Sequence, residues 1–394
     1  MRLKTLNQSI KLKGQRVLVR IDANVPIKKG KTVDGPHGKI ARVAVDLEWL
    51  SQHGARIIVM THLGRPGGKR VPAYSVRPVA KRLSELLGRK IPVVRGLAGG
   101  RVEKAVSKMK DGEIVLLENV RFDARENRNS TALAQELARL ADLFVNDAFS
   151  VSHRPHTSVD AITSELPSYA GPLVVNEVSI LEKVSRNPKK PFLLLVGGYK
   201  IRTKLPLMKQ LLPQVDKLYL GGAIANTFYK AQGREIGLSL YEKSEVKLAG
   251  QLLKKWGQKI LLPEYVVVAK RCRKDARIKE VAVDQVPEDQ LIIDLGPKSL
   301  VKMFKEIDQA KTIIWNGPFG NYECLNFATG SIELARKIAT RTGKATTVLG
   351  GGDTVVVSEM AKVADRFSLL STGGGAMLQF LANQELPGLE ALKV

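Results

Sequence analysis

Arginine and histidine recur in the first half of this 394-residue chain, each time just after a short apolar run. One run leads into Asp22-Ala23-Asn24-Val25-Pro26, a second into Thr61-His62-Leu63-Gly64-Arg65-Pro66, and a third into Glu118-Asn119-Val120-Arg121. A fourth leads into Asn146-Asp147-Ala148-Phe149, followed by His153-Arg154-Pro155-His156. A guanidinium donates as a bidentate fork, so Arg65, Arg121 and Arg154 gathered at one place would hold a small carboxylate or phosphate. Any one of them alone reads more simply as a solvated surface charge, and a lone His62 as a structural histidine. Recurrence at equivalent positions is what favours a site.

The second half is different. Its apolar runs end in Gly197-Gly198-Tyr199-Lys200, Gly221-Gly222-Ala223, Asn316-Gly317-Pro318-Phe319-Gly320 and Gly350-Gly351-Gly352-Asp353-Thr354. Glycine lets a backbone approach a ligand closely, and the helix N-terminus predicted after each run offers N–H donors to phosphates. One such pair ends a strand for structural reasons as readily; four point to a nucleotide. Neither the Walker A pattern nor G-x-G-x-x-G in a first βα unit is present. Two roles are open to Asp353: N-cap of its helix, or Mg²⁺ ligand beside nucleotide phosphates. Lys200 and Lys204, four apart, are predicted on one helix face. Their repulsion there invites an anion, although a solvated face accounts for them too.

These side chains must be positioned by the runs that precede them. Strands are predicted at Arg16–Ile21, Ala55–Met60, Ile114–Leu117 and Leu143–Val145. In the second half they fall at Phe192–Val196, Lys217–Leu220, Ile260–Leu262, Thr312–Trp315 and Thr346–Leu349. All are short, aliphatic and bounded by turn formers, as buried parallel strands are. Amphipathic stretches such as Val79–Leu87, Ala132–Leu140 and Phe327–Ala339 alternate with them, which predicts an α/β protein of βαβ units. Ligands in such sheets bind beyond the carboxyl ends of the strands. The chain is thus expected to hold two doubly wound, Rossmann-like parallel-sheet lobes: 1–172, and 191–375 with the nucleotide. Residues 173–190, apolar-patterned and bounded by prolines, form a hinge helix, and 376–394 form a terminal segment.

Composition narrows the class. Lysine and arginine total 63 against 38 acidic residues, a formal charge of +25. Residues 1–110 alone carry 25 basic and 6 acidic side chains. A solvated basic surface explains this as well as a field drawing in a small anion does. Nucleic-acid binding ranks third, because no zinc-finger spacing appears, no basic stretch is interleaved with aromatics, and aromatics are 5% of the chain. Two cysteines make no disulfide framework, which predicts a reducing compartment. No apolar run is long enough to span a bilayer, and the basic N-terminus has no apolar core of a signal peptide. No Ser–His–Asp or Cys–His spacing suggests a nucleophile. One lobe for a small polyanion and one for a nucleotide fit phosphoryl transfer.

These motifs, in this order, resemble those of the phosphoglycerate kinase family over essentially the whole chain. They are Arg20-Ile21-Asp22-Ala23-Asn24-Val25-Pro26, His62-Leu63-Gly64-Arg65-Pro66, Leu116-Leu117-Glu118-Asn119-Val120-Arg121-Phe122 and Asn146-Asp147-Ala148-Phe149. In the second half they are Gly197-Gly198-Tyr199-Lys200, Trp315-Asn316-Gly317-Pro318, Gly350-Gly351-Gly352-Asp353-Thr354 and Ser371-Thr372-Gly373-Gly374-Gly375-Ala376. The resemblance implies reversible, Mg²⁺-dependent transfer between 1,3-bisphosphoglycerate and ADP, giving 3-phosphoglycerate and ATP, by a cytoplasmic monomer. It implies a 3-phosphoglycerate site of Asp22, Ala23, Asn24, Lys39, His62, Leu63, Gly64, Arg65, Arg121 and Arg154. It also implies a nucleotide site of Gly198, Lys200, Lys204, Gly222, Asn316, Pro318, Glu323, Gly351, Gly352, Asp353 and Thr354. Glu323 takes a ribose hydroxyl and Asp353 the metal, while Lys39, Lys200 and Gly352 act on the transferred group. The terminal segment, with Leu386-Pro387-Gly388, is implied to pack back on the first lobe.

The chain departs from the family pattern in places. Lys39 stands where the family has arginine, losing the fork, and Arg42 lies one turn on. Ser150 replaces a glycine, Val151-Ser152 replaces Thr-Ala, and Arg202 adds charge between Lys200 and Lys204. The alternative reading is a kinase fold impaired by Lys39 that serves as a basic anion- or nucleic-acid-binding protein.

Overall fold

The computed structural model describes residues 1–6, 10–273 and 275–394. These form two compact units, Met1–Ser179 with Glu385–Val394, and Ile180–Gln384. The aliphatic runs become strands because each is buried on both faces, where β-branched side chains pack well.

In the first unit, β1 (Arg16–Ile21) leads through a small hairpin, β2 (Ile27–Lys28) and β3 (Lys31–Thr32), to α1 (Lys39–Gln52). Then come β4 (Arg56–Met60), α2 (Arg77–Leu87), β5 (Val93–Val94), α3 (Gly100–Ser107), β6 (Ile114–Leu117), α4 (Thr131–Ala138), β7 (Leu143–Asp147) and β8 (Ser168–Ala170). The six-stranded sheet has the order β5-β6-β4-β1-β7-β8, with every pair parallel. Val17, Val19 and Ile21 of β1 pack on α1 and α2, and Leu18 packs on the opposite side with Phe144, Leu133 and Leu137. The sheet is thus covered on both faces. Helix α5 (Pro172–Arg186) follows, and the division between the units falls inside it.

The second unit opens with β9 (Phe192–Val196), α6 (Ile201–Leu211), β10 (Lys217–Leu220), α7 (Gly222–Ala231), α8 (Val246–Trp256) and β11 (Ile260–Leu261). Strands β12 (Tyr265–Ala269), β13 (Lys279–Ala282) and β14 (Leu291–Leu295) form a separate antiparallel sheet. Then come α9 (Pro297–Gln309), β15 (Thr312–Asn316), α10 (Thr329–Ala339), β16 (Thr346–Gly350), α11 (Gly352–Met360), β17 (Leu369–Ser371), α12 (Gly375–Leu381) and α13 (Pro387–Glu390). The main sheet, β11-β10-β9-β15-β16-β17, is parallel throughout. Its order reverses between β9 and β15, which is where doubly wound sheets open a crevice.

Several elements depart from the expected ones. The stretch 168–170, outside the expected strands, pairs with β7 as an edge strand. The short strands β5 and β17 and the whole β12–β14 sheet lie outside the expected set. Residues 376–384 group with the second unit, since α12 packs on α6, and only 385–394 join the first. There the chain's two ends pair: Lys4 N–H donates to Leu392 C=O at 2.8 Å, and Val394 N–H to Arg2 C=O at 3.0 Å. Gly388 N–H donates to Ser152 C=O at 2.9 Å, and Asn146 Nδ2 donates to Gly388 C=O at 3.1 Å. Leu386, Leu389 and Leu392 are buried beside them.

The terminal segment is therefore part of the first unit's core. Leu389→Ala is expected to lower unfolding stability by about 2–5 kcal/mol, as large-to-small changes at buried leucines do. Urea denaturation measures this, and a loss under 1 kcal/mol would show that the segment is dispensable.

Candidate functional site

The first site lies at the carboxyl ends of β1, β4, β6 and β7. Asp22 follows β1, and its Oδ2 accepts from Lys39 Nζ at 2.6 Å and from Ser150 Oγ. Lys39 reaches it because α1 starts there: Asp34 accepts from the backbone N–H groups of Ile40 and Ala41 at 3.0 and 3.1 Å, capping the first turn. Burial would push the Asp22 carboxyl up, but the charge of Lys39 and the hydrogen bonds donated by Lys39 and Ser150 hold it well below the usual range. Asn24 Oδ1 accepts from Gly64 N–H at 2.9 Å, tying the first two strand-end loops together. Gly64 has φ +62° and a Cβ there would lie 2.3 Å from the Tyr74 ring, so no other residue fits without rearrangement.

Beneath these loops lies a network that sequence reasoning missed. Arg20 is wholly buried; its Nε donates to Ser158 Oγ at 2.9 Å and its Nη2 lies 3.1 Å from His62 Nδ1. Ser158 Oγ in turn donates to Glu126 Oε1 at 2.7 Å. Burial and the neighbouring arginines push His62 well below its usual value, so the ring is neutral. With Nδ1 accepting from the guanidinium, its proton resides on Nε2. Asn119 orients the third loop: Nδ2 donates to Leu63 C=O at 2.7 Å, and Oδ1 accepts from Arg121 N–H at 3.0 Å. Arg121 Nη1 donates to Gly64 C=O at 2.8 Å.

The arginines are close enough to feel one another. Burial, then Arg20 and Arg154, with a further contribution from Arg65, push Arg121 down to about 10, against the attraction of Glu126. His156 is pushed down to about 4 by burial and the same arginines. Arg20, Arg154 and Arg65 thus all lie within electrostatic reach of Arg121, and an anion beside Arg121 would relieve that repulsion. Arg65 is exposed, and Arg154 Nε donates to His153 Nε2 at 3.1 Å. Arg42 is within electrostatic reach of Asp46, so of the two candidate cations Lys39 is the one at Asp22.

The second site is a cavity of about 370 Å³ in the second unit. Of the expected residues, Gly198, Gly222, Pro318, Glu323 and Asp353 line it. Its apolar part comes from Leu240 and from Leu291 and Ile293 of the antiparallel sheet, which sequence reasoning missed with Tyr199, Asn226 and Tyr322. The loops after β9 and β15 meet backbone to backbone: Gly317 has φ +91°, and a Cβ there would lie 2.4 Å from Gly197 O. Lys204 and Asn316 sit outside the wall, Lys204 Nζ donating to Asn316 Oδ1 and Asn316 Nδ2 to Gly350 C=O at 2.9 Å. Thr354 Oγ1 accepts from Gly317 N–H at 2.8 Å, joining the β15 and β16 loops. Burial lowers the Lys204 ammonium, opposed by Asp353.

Three expectations are corrected here. Gly351, not Asp353, is the N-cap of α11; Asp353 occupies the first turn, and its Oδ1 accepts from the Tyr322 hydroxyl at 2.8 Å. Lys200 precedes α6 in extended conformation, so it does not share a helix face with Lys204. Arg202 turns to Glu245 and adds its charge there.

The phosphoglycerate kinase family model matches residues 7–384. Phosphoglycerate kinase of Methylorubrum populi is 41% identical over 99% of this chain and 98% of its own length. That of Moorella thermoacetica is 42% identical, covering 98% of each chain. The solved phosphoglycerate kinases of Coxiella burnetii and Pyrococcus horikoshii superpose with TM-scores of 0.84 and 0.88, at 37% and 28% identity, each over 98% of both chains. The chain belongs to the phosphoglycerate kinase family. Phosphotransfer to a carboxyl acceptor, in glycolysis, comes with that membership.

Two outcomes test the site's electrostatics. Asp22 contributes stability above its unfolded value of about 3.9, and this is lost as pH falls below that value. Lys39→Ala leaves the burial of Asp22 uncompensated, so the stability gap to wild type is expected to be widest near pH 7. The gap should shrink towards pH 3; urea midpoints across that range measure it, and a constant gap would refute the pairing. Secondly, Lys39 and Ser150 supply Asp22 with two donors. Ser150→Ala is expected to cost about 1–2 kcal/mol with Lys39 and less than half that beside Lys39→Arg, whose fork supplies both. A double-mutant cycle reads the difference.

Proposed function

We propose that the arginine cluster of the first unit binds 3-phosphoglycerate or 1,3-bisphosphoglycerate, and that the glycine-rimmed cavity of the second binds ATP or ADP with Mg²⁺. The observation that carries this reading is the tying together of the strand-end loops, Asn24 to Gly64 and Gly64 to Arg121, with Arg154 and Arg65 within electrostatic reach of Arg121. Arg65, Arg121 and Arg154 take the substrate's phosphate and carboxylate oxygens. Asp22 and Asn24 accept from its hydroxyl, and neutral His62 donates from Nε2. Backbone N–H groups at Ala23, Leu63 and Gly64 shape the floor.

In the second unit Glu323 takes a ribose hydroxyl, and Leu240, Leu291 and Ile293 flank the base. The first-turn N–H groups at Gly352 and Thr354, just after the N-cap Gly351, face the phosphates, as helix N-termini do. Among the described residues no group of three or more His, Cys, Asp and Glu converges. Asp353, on an exposed first turn, is then a single carboxylate, which is the donor set Mg²⁺ takes when phosphate oxygens and water complete it. When bound, Mg²⁺ neutralises phosphate charge.

In the ATP-consuming direction the acceptor is already a carboxylate, so no general base is needed. The chain's work is positioning and supplying positive charge. Lys39, held by Asp22, and exposed Lys200 serve the transferred group. The two cysteines, Cys272 and Cys324, are free, in keeping with a cytoplasmic protein. Among the described residues no helix is long and apolar enough to cross a membrane. The reading is of a monomer whose substrate lobe is 1–172 and whose nucleotide lobe is 191–375.

Purified protein with MgATP and 3-phosphoglycerate, with the acyl phosphate trapped by hydroxylamine, is expected to turn over at about 10–1000 s⁻¹. Arg121→Ala should raise KM for 3-phosphoglycerate about ten- to hundredfold and leave KM for ATP unchanged. Lys200→Ala should lower kcat about 100- to 1000-fold with both KM values little altered. Absent turnover by folded protein would overturn the reading.

A further inference from the structure

Apart from both sites, the first unit contains a cavity of about 420 Å³ beside α1. Leu6, Val45, Trp49, Pro172 and Val175 wall it, and Asp46 and Asp147 are its carboxyl groups. Val45 and Trp49 are 69% and 43% exposed, so the cavity opens to solvent along α1. Asp147, at the end of β7, is 3% exposed. Its Oδ1 accepts from Leu173 N–H in the first turn of α5 at 2.9 Å. Its Oδ2 and the Oδ2 of Asp46 are both buried, and no donor among the described residues reaches either.

Carboxylates only accept, so two that face each other need a proton between them. Burial, and then the charge of Asp46, push Asp147 well above the usual carboxylate range; burial also raises Asp46, opposed by its hydrogen bond with Asp147 and by Arg42. Arg42 on α1 is the charged side chain facing Asp46, and the N–H groups of Leu173 and Val174 face Asp147 from α5. With both ionised the pair lacks donors, and a stronger donor than a shared proton would satisfy both Oδ2 atoms. None of these groups belongs to the reaction described above.

We propose that this cavity binds a small organic cation, a primary amine on an apolar body, whose ammonium takes the place of the proton shared by Asp46 and Asp147. An ammonium carries three donors in a compact head and can satisfy both Oδ2 atoms at once. Its apolar body fits the aliphatic walls and the Trp49 ring. The volume lies within the range of small-molecule sites. An anion would be repelled by the pair. A neutral alcohol brings one donor and leaves the shared proton in place. Binding is proton-linked: the incoming R–NH₃⁺ displaces one H⁺ to solvent, and no covalent bond changes.

Cyclohexylmethylamine titrated into the full-length protein tests this by calorimetry near pH 6.5, in two buffers of different ionisation enthalpy. Cyclohexylmethanol serves as the uncharged control. The expected result is saturable binding of one amine with release of about one proton, and at least about tenfold weaker binding of the alcohol. Asp46→Asn and Asp46→Ala should each weaken the amine at least about tenfold and change the alcohol little. Asp46 is substituted because Asp147 also holds α5. Trp49 emission reports occupancy independently, and urea midpoints report that each variant is folded. No saturable binding up to about 20 mM would overturn the proposal. So would equal affinity for amine and alcohol, or amine affinity unchanged in both folded variants.

Discussion

A guanidinium with no access to water must have its charge answered inside the protein, because removing one partner of a buried ion pair costs several kcal/mol. Arg20 is in that position, wholly buried at the end of β1. Its answer is Glu126, also fully buried, reached through the hydroxyl of Ser158. That requirement brings residues 126 and 158 against the central strand. In the same step it fixes His62 against Arg20 Nη2 and keeps the ring neutral. The histidine, the arginine at 121 and the loop at 64 are then oriented by hydrogen bonds that start from this point. Asp22 is the second carboxylate within reach of the same guanidinium.

The second unit achieves its site by the opposite means. Where the first places charged side chains at strand ends, the second removes side chains so that backbones approach. Gly197 and Gly317 touch across the point where the strand order reverses, and Thr354 clasps the same loop from α11. Lys204 is half-buried beside these loops and held by Asn316, so its positive charge comes with a fixed direction. The distinction fits the ligands proposed for the two units: a small, highly charged acid needs directional side chains, whereas a nucleotide is held along its length by N–H groups and an apolar floor.

What was legible in the sequence follows from the same contrast. Strands such as Arg16–Ile21 and Phe192–Val196 were visible because burial on both faces demands unbroken aliphatic runs. Two-residue β5 and three-residue β8 carry too little pattern, and Ser168–Ala170 is polar enough to pass for loop. The antiparallel β12–β14 sheet has similar runs in Val266–Val268 and Leu291–Ile293, but nothing local indicates that it floors the cavity. Arg65, Arg121 and His62 announced themselves at strand ends. Glu126, Ser158 and Tyr322 did not, because their roles arise from contacts with residues 31 to 138 positions away in the chain. Asp353 was visible as a residue but not in its place in the first turn, since three glycines precede it and the cap settled on Gly351.

Lys39 and Ser150 show how two elements can hold one buried carboxylate. An arginine there would offer Asp22 two N–H groups in a plane; lysine offers one point charge. The serine at 150, standing where the family has glycine, supplies the second donor to the same Oδ2. Read singly, each change looks like a loss, one of a fork and one of a flexible loop position. Read together, they restore the number of donors on a carboxylate that burial would otherwise protonate. Lysine brings both charge and a hydrogen bond, and serine a second hydrogen bond. Asp22 therefore stays ionised through two side chains that come from different elements, α1 and the segment after β7, and the fold must hold both in register for the pairing to persist.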